Sequence, residues 1–170
     1  SRHPNLANDG MEVYASLFAP EDADAPVRME ATTHYLYDPV ARDAIAALPD
    51  ARIIIVLREP AARVYSSFNY TANHLARVSP RLTFARYIAL SEAKERLSPM
   101  WCSHAGSAYV LERDIDYSRY AKHVVSWVTA VGQDRIKFLV METMISDPDG
   151  TVRSVLDWLG LDPGLVAQFD

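Results

Sequence analysis

The sequence has a single cysteine, Cys102, among its 170 residues, which excludes an internal disulfide and a cysteine-rich zinc site. A reducing compartment, the cytoplasm, is the location this implies. Glycine (6) and proline (10) are too scarce for a collagen-like or linker-type chain. The longest unbroken apolar run, Ile53-Ile54-Ile55-Val56-Leu57, falls far short of the roughly 20 residues of a membrane-spanning helix, so no span is expected. No basic-then-apolar leader opens the sequence, although a trimmed chain would hide one. Neither a Gly-Lys-Ser/Thr nor a Lys-x-Gly-Thr pattern occurs, which disfavours a kinase-like phosphate loop within these residues. The 5 histidines lack metal-ligand spacing, and no metal is expected. A net charge of −5 lacks the basic footprint of a nucleic-acid binder, so no nucleic-acid partner is expected.

What is present is ordinary globular material. Hydrophobic residues at 49% and charged residues at 23% exclude wholesale disorder. The length fits one domain, since domains commonly run ~100–200 residues. Charge is unevenly placed: residues 52–96 hold 8 basic and 3 acidic side chains, between two acidic flanks. A basic middle of this kind suggests one local anionic ligand rather than a polyanion along the whole surface. Of the 17 basic residues 14 are Arg, the side chain best shaped for bidentate oxyanion contacts. A GC-rich genome explains that bias equally well.

Along the chain, residues 1–9 read as coil and Met11 to Phe18 as a short amphipathic helix. Ala19 to Val27 reads as a Pro/Asp/Ala loop. Asp38-Pro39 starts a helix that runs to about Leu48, because Asp caps free N–H groups and Pro loses nothing at the first position. Arg52–Leu57 is a β-branched run without polar alternation, the mark of a strand covered on both faces in a parallel sheet. Helical patterns follow over Pro60–Arg77, Leu82–Leu97 and Tyr117–Val131, the last with Asp116 as candidate cap. A second buried strand covers Ile136–Met141, and Asp147-Pro148 opens a closing helix to Gly160. Strands alternating with helices give an α/β layered fold, with the strands at about 52–57 and 136–141 parallel in one sheet.

The strongest chemistry lies in Arg58-Glu59-Pro60-Ala61-Ala62-Arg63-Val64-Tyr65-Ser66. Ligands of open parallel sheets sit beyond the carboxyl ends of the strands, where Arg58 stands. The next helix starts at Pro60 and turns its positive end towards the same crevice. Ser66, Ser67 and Tyr70 share one helix face with Arg63. Two guanidinium groups, a helix start and hydroxyls describe an oxyanion site for phosphate or sulfate. The alternative is that Arg58 and Arg63 only bridge Glu59 or other surface carboxylates. Cys102, Ser103 and His104 are neighbours in sequence, which rarely yields the spatial geometry of a nucleophile pair.

Arg58, Pro60, Arg63 and Ser66 match in register the Arg-x-Pro-x-x-Arg-x-x-Ser motif of the sulfotransferases that use 3′-phosphoadenosine 5′-phosphosulfate (PAPS), and the chain resembles that family over nearly its whole length. Glu30-Ala31-Thr32-Thr33-His34-Tyr35 looks like the family's Glu-x-(Ser/Thr)-x-x-Tyr segment. Tyr120 to Trp127 is similar to its Gly-x-Tyr helix. Phe138 to Glu142 resembles its late strand, and Asp147-Pro148 with Trp158-Leu159-Gly160-Leu161 its closing helix. The bacterial and glycan-type members are the nearest in character.

The resemblance implies a P-loop-NTPase-like parallel sheet flanked by helices, and sulfuryl transfer from PAPS to a hydroxyl or amine without a metal. It places the cofactor's 3′-phosphate on Arg58 and Ser66, with Arg63 bracing the helix and Ser118 and Tyr120 closing over the nucleotide. Ser118 stands where the family has Gly, and Ala31 where some glycan-modifying members have a Lys at the sulfate end. His34 is the local candidate for the missing charge, and Glu142 for orienting a substrate group. The family's Lys-x-Gly-Thr-Thr loop and catalytic base are not found, so both are expected upstream of Ser1, and these residues alone are expected to be inactive. The acceptor is a small molecule or a glycan. The competing reading is a non-catalytic nucleotide-binding or interaction module of the same fold.

Overall fold

The computed structural model describes residues 6–16 and 25–168. Strand β1 (Ile53–Leu57) lies beside β2 (Ile136–Val140) in parallel, with Ile53 opposite Ile136 and Leu57 opposite Val140. The β-branched run therefore forms the strand it encodes, within one residue of the expected bounds. Between the strands the chain passes through α3 (Pro60–Asn69), α4 (Phe84–Glu92), α5 (Ala105–Leu111), α6 (Asp114–Tyr117) and α7 (Tyr120–Val131). Before β1 come α1 (Leu6–Ala15) and α2 (Pro39–Ala46); after β2 come α8 (Met141–Ser146) and α9 (Pro148–Leu159).

Helices flank the sheet. Ile55 and Ile136 pack with Trp127 and Val131 of α7, joined by Ile45 and Ala46 of α2. Successive strand residues point to opposite faces. Lys137, next to Ile136, accordingly points the other way, and its Nζ lies 6.0 Å from the centre of the Trp158 ring on α9. The cover is nevertheless incomplete: Val56, Phe138 and Val140 are 40%, 38% and 49% exposed, against the expectation of strands buried throughout. A second core gathers Val64 and Phe68 of α3 with Tyr87, Leu90, Ala108 and Leu111 of α4 and α5.

The caps follow the sequence signals. Asp38 accepts from Val40 N (2.8 Å) with Pro39 at the first position, and Asp147 accepts from Gly150 N (2.9 Å) ahead of α9. A Cβ at Gly150 would fall 2.1 Å from the Asp147 carboxylate, so a larger residue there would make that side chain shift. Gly160 ends α9 at φ 77°, a left-handed cap suited to glycine.

Several expected bounds are corrected. The helix read over Met11–Phe18 runs Leu6–Ala15 with a break at Gly10 (φ 82°), so the coil expected up to Asp9 is helical from Leu6; Phe18 lies outside the described residues. The helix expected over Pro60–Arg77 ends at Asn69 and continues as one π-helical turn, Tyr70–His74, before Ala76 turns left-handed at φ 52°. The helix expected to reach Leu97 stops at Glu92, with Lys94 at φ 56°. The Tyr117–Val131 helix is two helices, because Arg119 (φ −84°, ψ 66°) is not helical; Asp116 is no cap and instead pairs with Lys122. α5 lies between the expected helices over Leu82–Leu97 and Tyr117–Val131, where the sequence patterns mark no element.

Candidate nucleotide site

Arg58 follows directly on Leu57, at the carboxyl end of β1. It is half-buried and has no hydrogen bond or ion pair among the described residues. The turn that holds it is fixed by its neighbours. The Glu59 N–H donates to Glu142 Oε1 (3.1 Å), in the first turn of α8 just past β2. The Glu59 carboxylate in turn accepts from Ala61 N (3.0 Å) and Ala62 N (2.6 Å), capping α3. These two N–H groups, with the Arg58 charge nearby, hold the Glu59 carboxyl below its ordinary value. The helix start is thus occupied by its own cap, which corrects the expectation that it faces the anion. Glu142 is a structural tie for the Arg58 turn.

Ser66 lies on α3, eight positions beyond Arg58 and half-buried, and its hydroxyl has no partner among the described residues. Arg63 is differently engaged. It turns inward, its NH1 donating to Asp114 Oδ1 (3.2 Å), Asp114 O (3.2 Å) and Ser118 Oγ (3.1 Å). Its guanidinium also stands over the Tyr37 and Tyr117 rings, at 5.7 and 6.0 Å. For Arg63 the carboxylate-bridging alternative holds, although the carboxylate is buried rather than on the surface. For Arg58 it does not.

Ser118 is buried, and its hydroxyl donates to Asp114 O (2.8 Å), so its one proton is already committed inward. Tyr120 opens α7, half-buried. A pocket of about 240 Å³ lies between the first turn of α3 and the α6–α7 link, lined by Pro60, Ala61, Val64, Ile115, Ser118 and Arg119. Its walls are largely apolar side chains beside the Arg58 turn. That arrangement suits the non-ionic part of a ligand whose charge is held at the strand end.

The remaining candidates fall elsewhere. His34 is exposed, with Nδ1 3.2 Å from the Thr33 hydroxyl. His104 caps α5 by accepting from Ser107 N (3.1 Å), and Cys102 is a buried free thiol whose Sγ faces the His104 carbonyl (3.6 Å). The His104 ring faces Ser107, whose Oγ lies 3.2 Å from its Nδ1, and among the described residues neither Cys102 nor Ser103 bonds to the ring. Among the described residues no cluster of His, Cys, Asp and Glu could hold a metal ion.

Next to the site, Tyr37 stacks on Tyr117 with centroids 3.9 Å apart, and His123 packs edge-on against Tyr37 at 4.9 Å. His123 Nε2 is buried without a hydrogen-bond partner among the described residues. Burial, then the Lys122 charge, holds its imidazole below the ordinary value. With the folded value depressed, the stability of the neutral ring is complete above the unfolded value of ~6.5 and is lost as pH falls through the folded value. His123→Phe is expected to remove this acid sensitivity and leave stability at pH 7 within about 1 kcal/mol, since an apolar ring of similar shape replaces an unsatisfied polar group. Thermal melts between about pH 7.5 and 5 check it; an unchanged slope in the variant would contradict it.

Comparison with known proteins identifies the family. The model of the sulfotransferase domain family matches residues 3–168, and the chain belongs to that family. It is 28% identical, over 89% of its length and 40% of the relative's, to human heparan sulfate glucosamine 3-O-sulfotransferase 6. It is 26% identical to the bifunctional heparan sulfate N-deacetylase/N-sulfotransferase 1 of Caenorhabditis briggsae, covering 89% of the chain and 17% of that protein. Among solved structures, the crystal structure of a sulfotransferase from Alicyclobacillus acidocaldarius superposes with a TM-score of 0.61 at 26% identity, over 79% of this chain and 50% of that one. The chain thus spans less than half the length of these curated relatives.

Proposed function

We propose that the protein transfers a sulfuryl group from PAPS to a hydroxyl or amine of a carbohydrate acceptor. The observation that carries this reading is Arg58, a guanidinium without a protein partner among the described residues at the carboxyl end of a parallel strand. The donor chemistry fits the 3′-phosphate half of PAPS. Arg58 offers a charged fork and Ser66 a free hydroxyl, beside a pocket of about 240 Å³ with largely apolar walls. When bound, PAPS supplies the activated sulfuryl group. Arg58 and Ser66 hold and orient its far end, Tyr120 bounds the nucleotide, and Ser118 contributes through the wall it forms rather than through its committed hydroxyl.

Holding a donor in line with an acceptor is the main contribution expected of such a site, because positioning and electrostatic stabilisation dominate group transfer of this type. No Lys-x-Gly-Thr loop occurs within these 170 residues, and we assign no proton-accepting base among them. The carbohydrate acceptor is inferred from the heparan sulfate enzymes among the relatives. Among the described residues no helix is long and apolar enough to cross a membrane.

The test is titration of the full chain with adenosine 3′,5′-bisphosphate and with adenosine 5′-phosphate, which differ only in the 3′-phosphate. The bisphosphate should bind at least about tenfold more tightly, and equal affinities would remove this site from the reading. Ser66→Ala should weaken the bisphosphate by about 0.5–1.5 kcal/mol, the scale of one neutral hydrogen bond, and leave the monophosphate unchanged.

A further inference from the structure

Asp114 is the fully buried acidic side chain of the described structure, with 0% exposure, and nothing in the nucleotide site as built requires it. Three segments meet on it. From α3, Arg63 donates to its carboxylate (3.2 Å); from α4, the Tyr87 hydroxyl lies 3.4 Å from its Oδ2; and within its own segment its carbonyl accepts from Ser118 Oγ (2.8 Å). Burial pushes its carboxyl up from the ordinary value, against the opposing pull of the Ser67 hydroxyl, Arg63 and Tyr87. A buried ion pair is a poor source of stability, because desolvation cancels much of its attraction; what it can give is a defined geometry.

The geometry fixed here joins the two walls of the nucleotide pocket. Arg63 stands three positions before Ser66 on α3, so both lie on one helix face. The same guanidinium reaches Ser118 Oγ (3.1 Å) in the α6–α7 link, beside the pocket that Pro60, Ala61 and Val64 of α3 line together with Ser118 and Arg119. We propose that Asp114 is a positioning residue which, through Arg63, sets the Ser118–Tyr120 link against α3 so that a nucleotide held by Arg58 and Ser66 is closed over by that link.

The proposal rests on the nucleotide-site reading above, and the test separates the two. Hydrogen exchange of the full chain is followed with and without adenosine 3′,5′-bisphosphate, alongside calorimetric affinity. The wild type should gain protection in both 58–66 and 118–120. Asp114→Asn, nearly isosteric, should keep the first protection, lose the second, and bind roughly tenfold more weakly, the scale of one well-placed hydrogen bond. The paired replacement Arg63→Met with Asp114→Leu removes the buried charges together, which often preserves folding. It should restore the wild-type melting temperature without restoring protection at 118–120, an outcome that a purely structural pair would not give. Protection of both segments at wild-type affinity in either variant would overturn the proposal. Absence of protection at 58–66 in the wild type would instead be the failure of the nucleotide reading, and would remove the proposal with it.

Discussion

Replacing Arg58 by alanine is expected to weaken binding of adenosine 3′,5′-bisphosphate by about 1.5–3 kcal/mol, the usual scale of hydrogen bonds to a charged group. The size follows from where the side chain sits. β1 ends at Leu57, so Arg58 is delivered to the sheet edge by a strand paired along its length with β2. The turn behind it is tied from both sides, by Glu142 to the Glu59 N–H and by the Glu59 carboxylate to α3. Its guanidinium has no hydrogen bond to a described protein group to give up. An arginine already held by a carboxylate would have to exchange one partner for another, and its truncation would then cost affinity little. Arg58→Lys should recover only part of the loss, since an ammonium lacks the bidentate fork. Calorimetric titration decides between these results, and unchanged affinity in Arg58→Ala would mean that the phosphate is held elsewhere.

Trp127→Ala should cost about 3–5 kcal/mol of stability, the range for removing a large aromatic from a packed core. Trp127 is 3% exposed and packs with Ile55, Val131 and Ile136, while its Nε1 donates to Leu36 O (3.1 Å). The indole thus joins α7, both strands and the turn before α2. Trp127→Phe should be milder, at about 1–3 kcal/mol, because a six-membered ring remains but the partly buried Leu36 carbonyl loses its donor. Denaturant unfolding monitored by circular dichroism measures both. A loss below about 1 kcal/mol for Trp127→Ala would show that the sheet is not anchored through this residue.

Both results bear on what was legible in the sequence. The two strands, their parallel pairing and the helices opened by Asp38-Pro39 and Asp147-Pro148 were readable because each depends on local chemistry: β-branched runs, side-chain caps and proline at a first position. α5 was not, because histidine is a weak capping signal beside Ser, Thr, Asp and Asn, and His104 performs that role here. The break between α6 and α7 escaped because neither Ser118 nor Arg119 is a helix breaker, and the turn there is set by tertiary contacts to Arg63.

The site divides in the same way. Arg58 follows from its place at the end of a strand, and Ser66 from its spacing along α3. That Arg63 turns inward depends on Asp114, 51 residues away in sequence, which no local pattern reveals. The capping of α3 by Glu59 had a signal, an acidic side chain directly before a proline at the first helical position. It implied that the helix donors were already taken. The exposed Phe138 and Val140 have no sequence signature, since an apolar strand reads alike whether or not another element covers it.

The central claim is sulfuryl transfer from PAPS, and turnover with radiolabelled PAPS tests it most directly. The assay uses the polypeptide of the complete reading frame with glucosamine-containing oligosaccharides as acceptors, in wild-type and Arg58→Ala forms. Label should pass to the oligosaccharide with the wild type, and the apparent KM for PAPS should rise by about 10-fold or more in the variant, as a loss of about 1.5–3 kcal/mol of binding requires. Tight binding of adenosine 3′,5′-bisphosphate with no transfer to any acceptor would contradict the claim and leave a nucleotide-binding module of the sulfotransferase fold.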